Sequence, residues 1–128
     1  MINALVIVPT YNERDNLGPL VKALLDHPRV RVLVVDDQSP DGTGAVADDL
    51  ARTYWPRVDV THRTSRRGLG RSYIDGIKWA IEQPVDVICQ MDADFSHDPA
   101  RLPTLVDAAR NAVVVIGSRY IAGGAIVN

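Results

Sequence analysis

Asp92 and Asp94 are separated only by Ala93 and close a short apolar run, and no other stretch of the chain is better suited to chemistry. Val85, Val87 and Ile88 are β-branched and predict a buried strand. In an extended backbone, residues i and i+2 point the same way, so the spacing predicts two carboxylates leaving the strand end side by side. Adjacent carboxylates repel, and a cation between them relieves the repulsion. Hard oxygen ligands favour Mg2+ or Mn2+, ions that commonly complete their coordination with phosphate oxygens and water. Helix capping is the structural alternative for acids placed here, because a helix is predicted after Pro99. Asp98, with Pro99 at the first helical position, fills that role and leaves Asp92 and Asp94 as candidate metal ligands.

The elements that must position this pair follow a regular alternation. Ala4 to Val8 is wholly apolar, predicts a central strand and is expected to stop at Pro9. Leu17, Leu20, Val21, Leu24 and Leu25 recur with helical spacing from about Arg14, with Asn12 or Asp15 available as the cap. Val30 to Val35 predicts a second strand, ending in Asp36-Asp37. Ser39-Pro40-Asp41-Gly42 is a turn, and Val46, Ala47, Leu50 and Ala51 mark a helix from Thr43. Val58 and Val60 alternate with polar residues in a more exposed third strand, and His62 to Arg67 is a polar loop. Gly68 to Gln83 carries Leu69, Tyr73, Ile74, Ile77, Trp79, Ala80 and Ile81 on helical spacing, and Pro84 blocks its continuation. After the Val85 strand, Leu102, Leu105, Val106 and Ala109 predict a helix, and Ala112 to Ile116 a fifth strand ending at Gly117-Ser118-Arg119. Such alternation predicts an α/β fold, a Rossmann-like, mostly parallel sheet with helices on both faces.

Ligands of open α/β sheets bind outside the carboxyl ends of the strands. The unusual residues collect there: Pro9, Tyr11 and Glu13 after the first strand, Asp36 and Asp37 after the second, Asp92 and Asp94 after the fourth, Arg119 after the fifth. Structural need alone is not expected to place so many acids at one edge. Gly68-Leu69-Gly70 lacks the third glycine of a dinucleotide fingerprint and the Gly-Lys-Ser/Thr ending of a P-loop, and reads as a closely packed helix start. Arg63, Arg66, Arg67 and Arg71 are either a solvated loop or a set of cations near a diphosphate. His27, His62 and His97 share no metal-like spacing, and only His97 lies near an acidic pair. No G-x-S-x-G elbow or Cys-His pair supports hydrolase chemistry.

Composition sets the outer bounds. The 128 residues suit one domain, and 46% hydrophobic with 23% charged residues is an ordinary globular mixture. A formal net charge of −2 gives no basic field for nucleic acid. The single cysteine, Cys89, is expected to be buried and inert, and its isolation fits a reducing cytoplasm. No run approaches the roughly twenty apolar residues of a membrane span, and no signal peptide is evident. The chain stops at GGAIVN, after a strand and a loop, which leads us to expect a truncated domain.

VPTYNERDN at Val8 to Asn16, VVDDQSPDGT at Val34 to Thr43, GLGRSYIDGI at Gly68 to Ile77, MDADFSHDP at Met91 to Pro99 and GSRY at Gly117 to Tyr120 together resemble family 2 glycosyltransferases, within which they are most similar to the polyprenyl-phosphate (dolichyl-phosphate) mannose synthases. The resemblance spans nearly the whole chain. It implies a GT-A fold, a GDP-mannose donor, a Mg2+ or Mn2+ cofactor and a polyprenyl phosphate acceptor, with inversion at the sugar. Carried over by residue, it implies that Pro9, Tyr11 and Glu13 surround the nucleotide, that Val35 and Asp37 meet base and ribose, and that Asp92, Ala93 and Asp94 hold the diphosphate, with Asp92 and Asp94 on the metal. Arg119 would meet the donor phosphates, which makes it and Asp94 the catalytic candidates. Ser96 stands where some relatives have a glutamine metal ligand, so Ser96 or a water is the third ligand.

The resemblance also makes residues 1–128 the N-terminal, nucleotide-sugar-binding part of a single GT-A domain, with the acceptor-side basic residues further along. It places the protein at the cytoplasmic face of a membrane through its lipid acceptor, and the apolar surface of a cut sheet suggests self-association. The competing readings are a family 2 enzyme using another donor such as UDP-glucose, a non-catalytic nucleotide- or metal-binding module, and a response-regulator-like receiver. The receiver lacks a recognisable phosphoacceptor and lysine arrangement.

Overall fold

A computed structural model describes residues 2–109. Strands β1 (Ala4–Thr10), β2 (Val30–Asp36), β3 (Val58–His62) and β4 (Val87–Gln90) alternate with helices α1 (Arg14–Leu25), α2 (Thr43–Thr53) and α3 (Leu69–Ala80); a 3-10 turn (Pro99–Arg101) leads into α4 (Leu102–Ala108). The four strands form one parallel sheet in the order β3-β2-β1-β4. The strand order thus reverses at β1, and the crevice beyond the carboxyl ends of β1 and β4 is the topological switch point at which such sheets bind ligands. The predicted fifth strand and the GSRY segment with Arg119 lie outside the described residues.

The sheet is covered on both faces because successive side chains of β1 and β2 alternate between two apolar layers. Ala4, Val6, Val8, Val32 and Val34 pack with Leu17, Leu20, Val21 and Leu24 of α1, Ala47 and Leu50 of α2, and Leu102 of α4. Leu5, Ile7, Leu33 and Val35 face the other way, onto α3. That helix lies unusually close to the sheet. A Cβ on Gly76 would come within 2.7 Å of Ile7 Cγ2 and 3.3 Å of Val35 Cγ2, so only glycine permits this approach.

Several expectations need correcting. β1 does not end at Pro9 but runs through it to Thr10, with Pro9 opposite Val35. In a parallel ladder, alternate residues present their main-chain groups to opposite neighbours. The Ile7 carbonyl faces β4, where it accepts from Met91, and the Thr10 carbonyl faces β2, where it accepts from Asp37. Pro9 shares the β4 side with Ile7, and the β4 pairing stops opposite Ile7, so the missing N–H costs no ladder bond.

On α3 the sheet-facing stripe is Ser72, Gly76 and Ala80, flanked by Tyr73, Ile77 and Trp79. Leu69, Ile74 and Ile81 are exposed. Apolar residues surround this helix, so their periodicity could not select the buried face. β4 is also less buried than its apolar run suggests, since among the described residues it pairs only with β1. Cys89 is accordingly half-buried, and that burial pushes its thiol pKa up, in keeping with an inert side chain.

Candidate active site

The carboxyl end of β1 is shaped by the loop that follows β2. Asp36 is buried and accepts from the Thr10 hydroxyl (2.7 Å), the Ser39 hydroxyl (2.7 Å) and the Ser39 N–H (3.2 Å). The Ser39 hydroxyl in turn accepts from the Asn12 N–H at 2.9 Å, and Asn12 adopts a left-handed φ of 55°. Asp41 accepts from the Thr43 N–H at 2.9 Å and from the Thr43 hydroxyl, while its Oδ2 takes the Arg14 N–H at 3.3 Å. The Thr43 hydroxyl, above all, holds the Asp41 carboxyl below its ordinary pKa.

Neither Asn12 nor Asp15 caps α1. The N-cap residue is Glu13, with no side-chain cap bond, and the orphan donors of the first turn are met from the neighbouring loop: the Glu13 N–H by the Thr43 hydroxyl at 3.0 Å and the Arg14 N–H by Asp41. The Glu13 carboxylate accepts from Asn16 Nδ2 at 3.1 Å. The expectation that acids crowd this edge beyond structural need is therefore corrected for Asp36, which together with the turn residue Asp41 builds the loop next to Tyr11 and Glu13.

Asp37 belongs to a buried ionic cluster. Its Oδ1 accepts from Arg63 Nη1 at 2.6 Å and its Oδ2 from the Gly68 N–H at 2.8 Å. Arg63 also donates from Nε to Asp75 (2.7 Å) and from Nη2 to the Arg66 carbonyl (3.1 Å). The side chains of Arg63 and Asp37 are only 3% and 9% exposed, so the pair is shielded from solvent where a surface pair would be screened. The Asp75 and Asp37 carboxylates raise the Arg63 pKa further. Arg63 is thus not a solvated loop residue; it ties the loop before α3 to the end of β2. Arg66, Arg67 and Arg71 are exposed, and the Arg67 guanidinium lies 4.5 Å from the Tyr11 ring centroid.

Between these parts is a shallow depression of about 250 Å³, lined by Tyr11, Asp37, Arg67, Gly68, Leu69 and Ser72. Pro9 and Val35 are buried and do not line it, and the Val35 side chain lies in the core under α3. A larger depression, about 440 Å³, borders the start of β4 among Ala80, Ile81 and Val87, away from the strand carboxyl ends.

The acidic turn lies beyond the end of β4. Gln90 is the last strand residue, and Ala93 and Asp94 are in a turn followed by Phe95 at φ 62°. The carboxylates are therefore brought together by a turn and not by the pleat of a strand. Ala93 is buried in the core on the α1 side, which anchors the turn between them. Asp92 accepts from the Tyr73 hydroxyl at 2.8 Å, and its N–H donates to His97 Nδ1 at 3.2 Å. Asp94 is exposed and accepts from the Ser96 N–H at 3.0 Å; hydrogen bonds from the Ser96 side chain and main chain hold its pKa below the ordinary carboxylate value. Burial, the hydrogen bond to Asp92 and the charges of Asp92 and Asp94 all push the Tyr73 hydroxyl pKa up, so both carboxylates act on one phenol. Asp98 caps the next turn as predicted, accepting from the Ala100 N–H at 2.9 Å with Pro99 following it.

This donor set suits a hard divalent ion. Two carboxylates are presented, and no group of three or more His, Cys, Asp or Glu forms a cage among the described residues. Mg2+ and Mn2+ tolerate such an open site because phosphate and water oxygens complete it. The described residues contain no helix long and apolar enough to cross a membrane. Two roles escaped sequence reasoning: that of Tyr73, whose hydroxyl among aliphatic neighbours was the available signal, and the pairing of Arg63 with Asp37 and Asp75, which its place in a basic run did not announce.

The parallel sheet with helices on both faces is GT-A-like, and the chain belongs to glycosyl transferase family 2, whose model matches residues 5–128. It is 52% identical over 127 residues to the polyprenol monophosphomannose synthase of Mycolicibacterium smegmatis, covering 97% of this chain and 48% of that protein. It is 50% identical over 128 residues to the undecaprenyl-phosphate mannosyltransferase of Micrococcus luteus, covering 99% and 52%. Among solved structures, it resembles a mannosyltransferase from Pyrobaculum calidifontis in complex with GDP-Man and Mn2+, with a TM-score of 0.63 and 26% identity over 73% of this chain and 28% of that one. The chain spans about half the length of the curated relatives it matches.

Proposed function

We propose that residues 1–128 form the N-terminal, donor-binding part of a single GT-A domain that transfers mannose from GDP-mannose to a polyprenyl phosphate. The observation that carries this reading is the placement of the acidic turn at the switch point, next to a depression walled by an aromatic ring and a buried carboxylate. The names of the relatives supply the donor and acceptor classes.

In this reading Tyr11 and Asp37 receive the nucleoside in the depression, and Pro9, Glu13 and Val35 belong to the segments that surround the nucleotide. Asp92, Ala93 and Asp94 meet the diphosphate, with Asp92 and Asp94 as the protein ligands of Mg2+ or Mn2+. A bound divalent ion supplies electrostatic stabilisation of the leaving diphosphate. Arg119 adds a fixed positive charge to the same group. The Asp94 carboxylate, held ionised by Ser96, is ready to coordinate without first losing a proton. The acceptor phosphate is already anionic, so no strong base has to remove a proton from it. Attack on the face opposite the leaving group gives a β-linked mannosyl phosphate lipid. The protein meets the membrane peripherally through that lipid, at the cytoplasmic face. Self-association is part of the reading and is supported by the exposed Leu69, Ile74 and Ile81.

The test is calorimetric titration of GDP into the wild type and Asp94→Ala, with and without Mn2+, together with transfer of labelled sugar from GDP-mannose or UDP-glucose to polyprenyl phosphate. Mn2+-dependent GDP binding should vanish in the variant with little change in melting temperature, and lipid-extractable label should come from GDP-mannose alone. Undiminished metal-dependent binding in Asp94→Ala, or label from UDP-glucose in preference, would overturn the assignment.

A further inference from the structure

We infer that Tyr73 is a positioning residue for the metal-diphosphate site, holding the Asp92 carboxylate in one orientation through the 2.8 Å hydrogen bond from its hydroxyl. The inference rests on the reading of Asp92 and Asp94 as metal ligands. Its physical basis is the way α3 is fixed. At its start, the Gly68 N–H is held by Asp37 Oδ2 at 2.8 Å. Two turns on, Gly76 lies so close to Ile7 and Val35 that the helix cannot move toward the sheet. Tyr73 sits between these two fixed points, with its ring packed beside the α3-side core, so its hydroxyl reaches the acidic turn at a set height.

Asp92 needs such support because it lies two residues beyond the last ladder residue, Gln90. Its main chain is held by one hydrogen bond, to His97 Nδ1 at 3.2 Å, and its carboxylate by Tyr73. The phenol donates to Oδ1 and leaves Oδ2 as the oxygen that Tyr73 does not engage. A donor that fixes a ligating carboxylate removes rotamers which metal binding would otherwise have to freeze, and loss of such a partner typically weakens metal binding about 10–100-fold.

The experiment uses the natural full-length protein and Tyr73→Phe, which keeps the ring and deletes only the donor. GDP is titrated with and without Mn2+, the Mn2+ affinity of the GDP-saturated protein is followed by electron paramagnetic resonance, and melting is recorded. The expected result is a fall of about tenfold or more in Mn2+ affinity and in the metal-dependent part of GDP binding, with metal-free GDP binding and melting temperature nearly unchanged. Unchanged Mn2+ affinity in the variant overturns the inference while leaving the metal-site reading intact. A parallel loss of metal-free GDP binding and of melting temperature also overturns it, because it reports a purely structural tyrosine. Absence of Mn2+-dependent GDP binding in the wild type removes the metal-site reading and the inference together.

Discussion

Replacing Asp37 by Asn tests the claim that the nucleoside depression is held open by a buried ionic cluster. The carboxylate takes one donor on each oxygen, Arg63 Nη1 and the Gly68 N–H. An amide offers one oxygen and turns its NH2 toward the other donor, so one of these groups loses its partner in a buried site, at a cost of about 1–3 kcal/mol. Removing the charge also leaves Arg63 under-compensated. Breaking a buried pair from one side costs about 3–5 kcal/mol, but Asp75 still holds Nε, so the lower end applies. The expected loss is about 3 kcal/mol, a large share of a typical total stability of about 10 kcal/mol. Urea unfolding of Asp37→Asn, Arg63→Met and the double variant measures it and closes a double-mutant cycle. The double variant should be less destabilised than the sum of the singles by at least about 1.5 kcal/mol, because neither charge is then stranded. GDP binding should weaken in Asp37→Asn with or without metal. Additivity within about 0.5 kcal/mol would refute the cluster as the element that holds the loop before α3.

Gly76→Ala should destabilise the protein by about 1–3 kcal/mol through overpacking against Ile7, read by urea unfolding; a neutral result would mean that α3 does not lie this close. Tyr11→Ala should weaken GDP binding about tenfold, in line with roughly 1–3 kcal/mol for a base on an aromatic face, while leaving Mn2+-pyrophosphate binding intact; an equal loss of both would remove the nucleoside from the depression. Asp41 has a folded pKa below its unfolded one, owing first to Thr43, so its stabilisation is complete at neutral pH and fades as pH falls through the depressed value. Melting temperatures from about pH 7 down to about pH 2 should therefore drop less steeply in Asp41→Asn than in the wild type, and identical slopes would discount that loop bond.

The alternation of strands and helices was legible because wholly apolar runs of strand length leave few options, and Pro84 and Pro99 mark boundaries that the chain respects. The partners of the polar residues were not legible. Thr10 and Asp36 are 26 residues apart, as are Asp37 and Arg63, and nothing in local spacing announces either bond. The same carboxylate type thus fills two kinds of role at one edge: Asp36 and Asp41 tie loops together, whereas Asp94 projects from an exposed turn. Tyr73 could be placed on a helix from sequence, but its approach to Asp92 depends on the absent side chain of Gly76, a tertiary fact. Arg119 lies outside the described residues, and its place at the donor phosphates stays a proposal.

Pro9 does more than tolerate its place in β1. The next rung of the ladder toward β4 would need its N–H, and proline has none, so pairing is released one step after the Met91 N–H meets the Ile7 carbonyl. The neighbouring strand is thereby cut to length by a residue it never follows in sequence. Freed at Met91, the chain can turn at Ala93 and bring two acids to the crevice at a height measured from the sheet, where a continued strand would have carried them past it. The proline of the first motif and the acids of the fourth, more than eighty residues apart, act as ruler and mark.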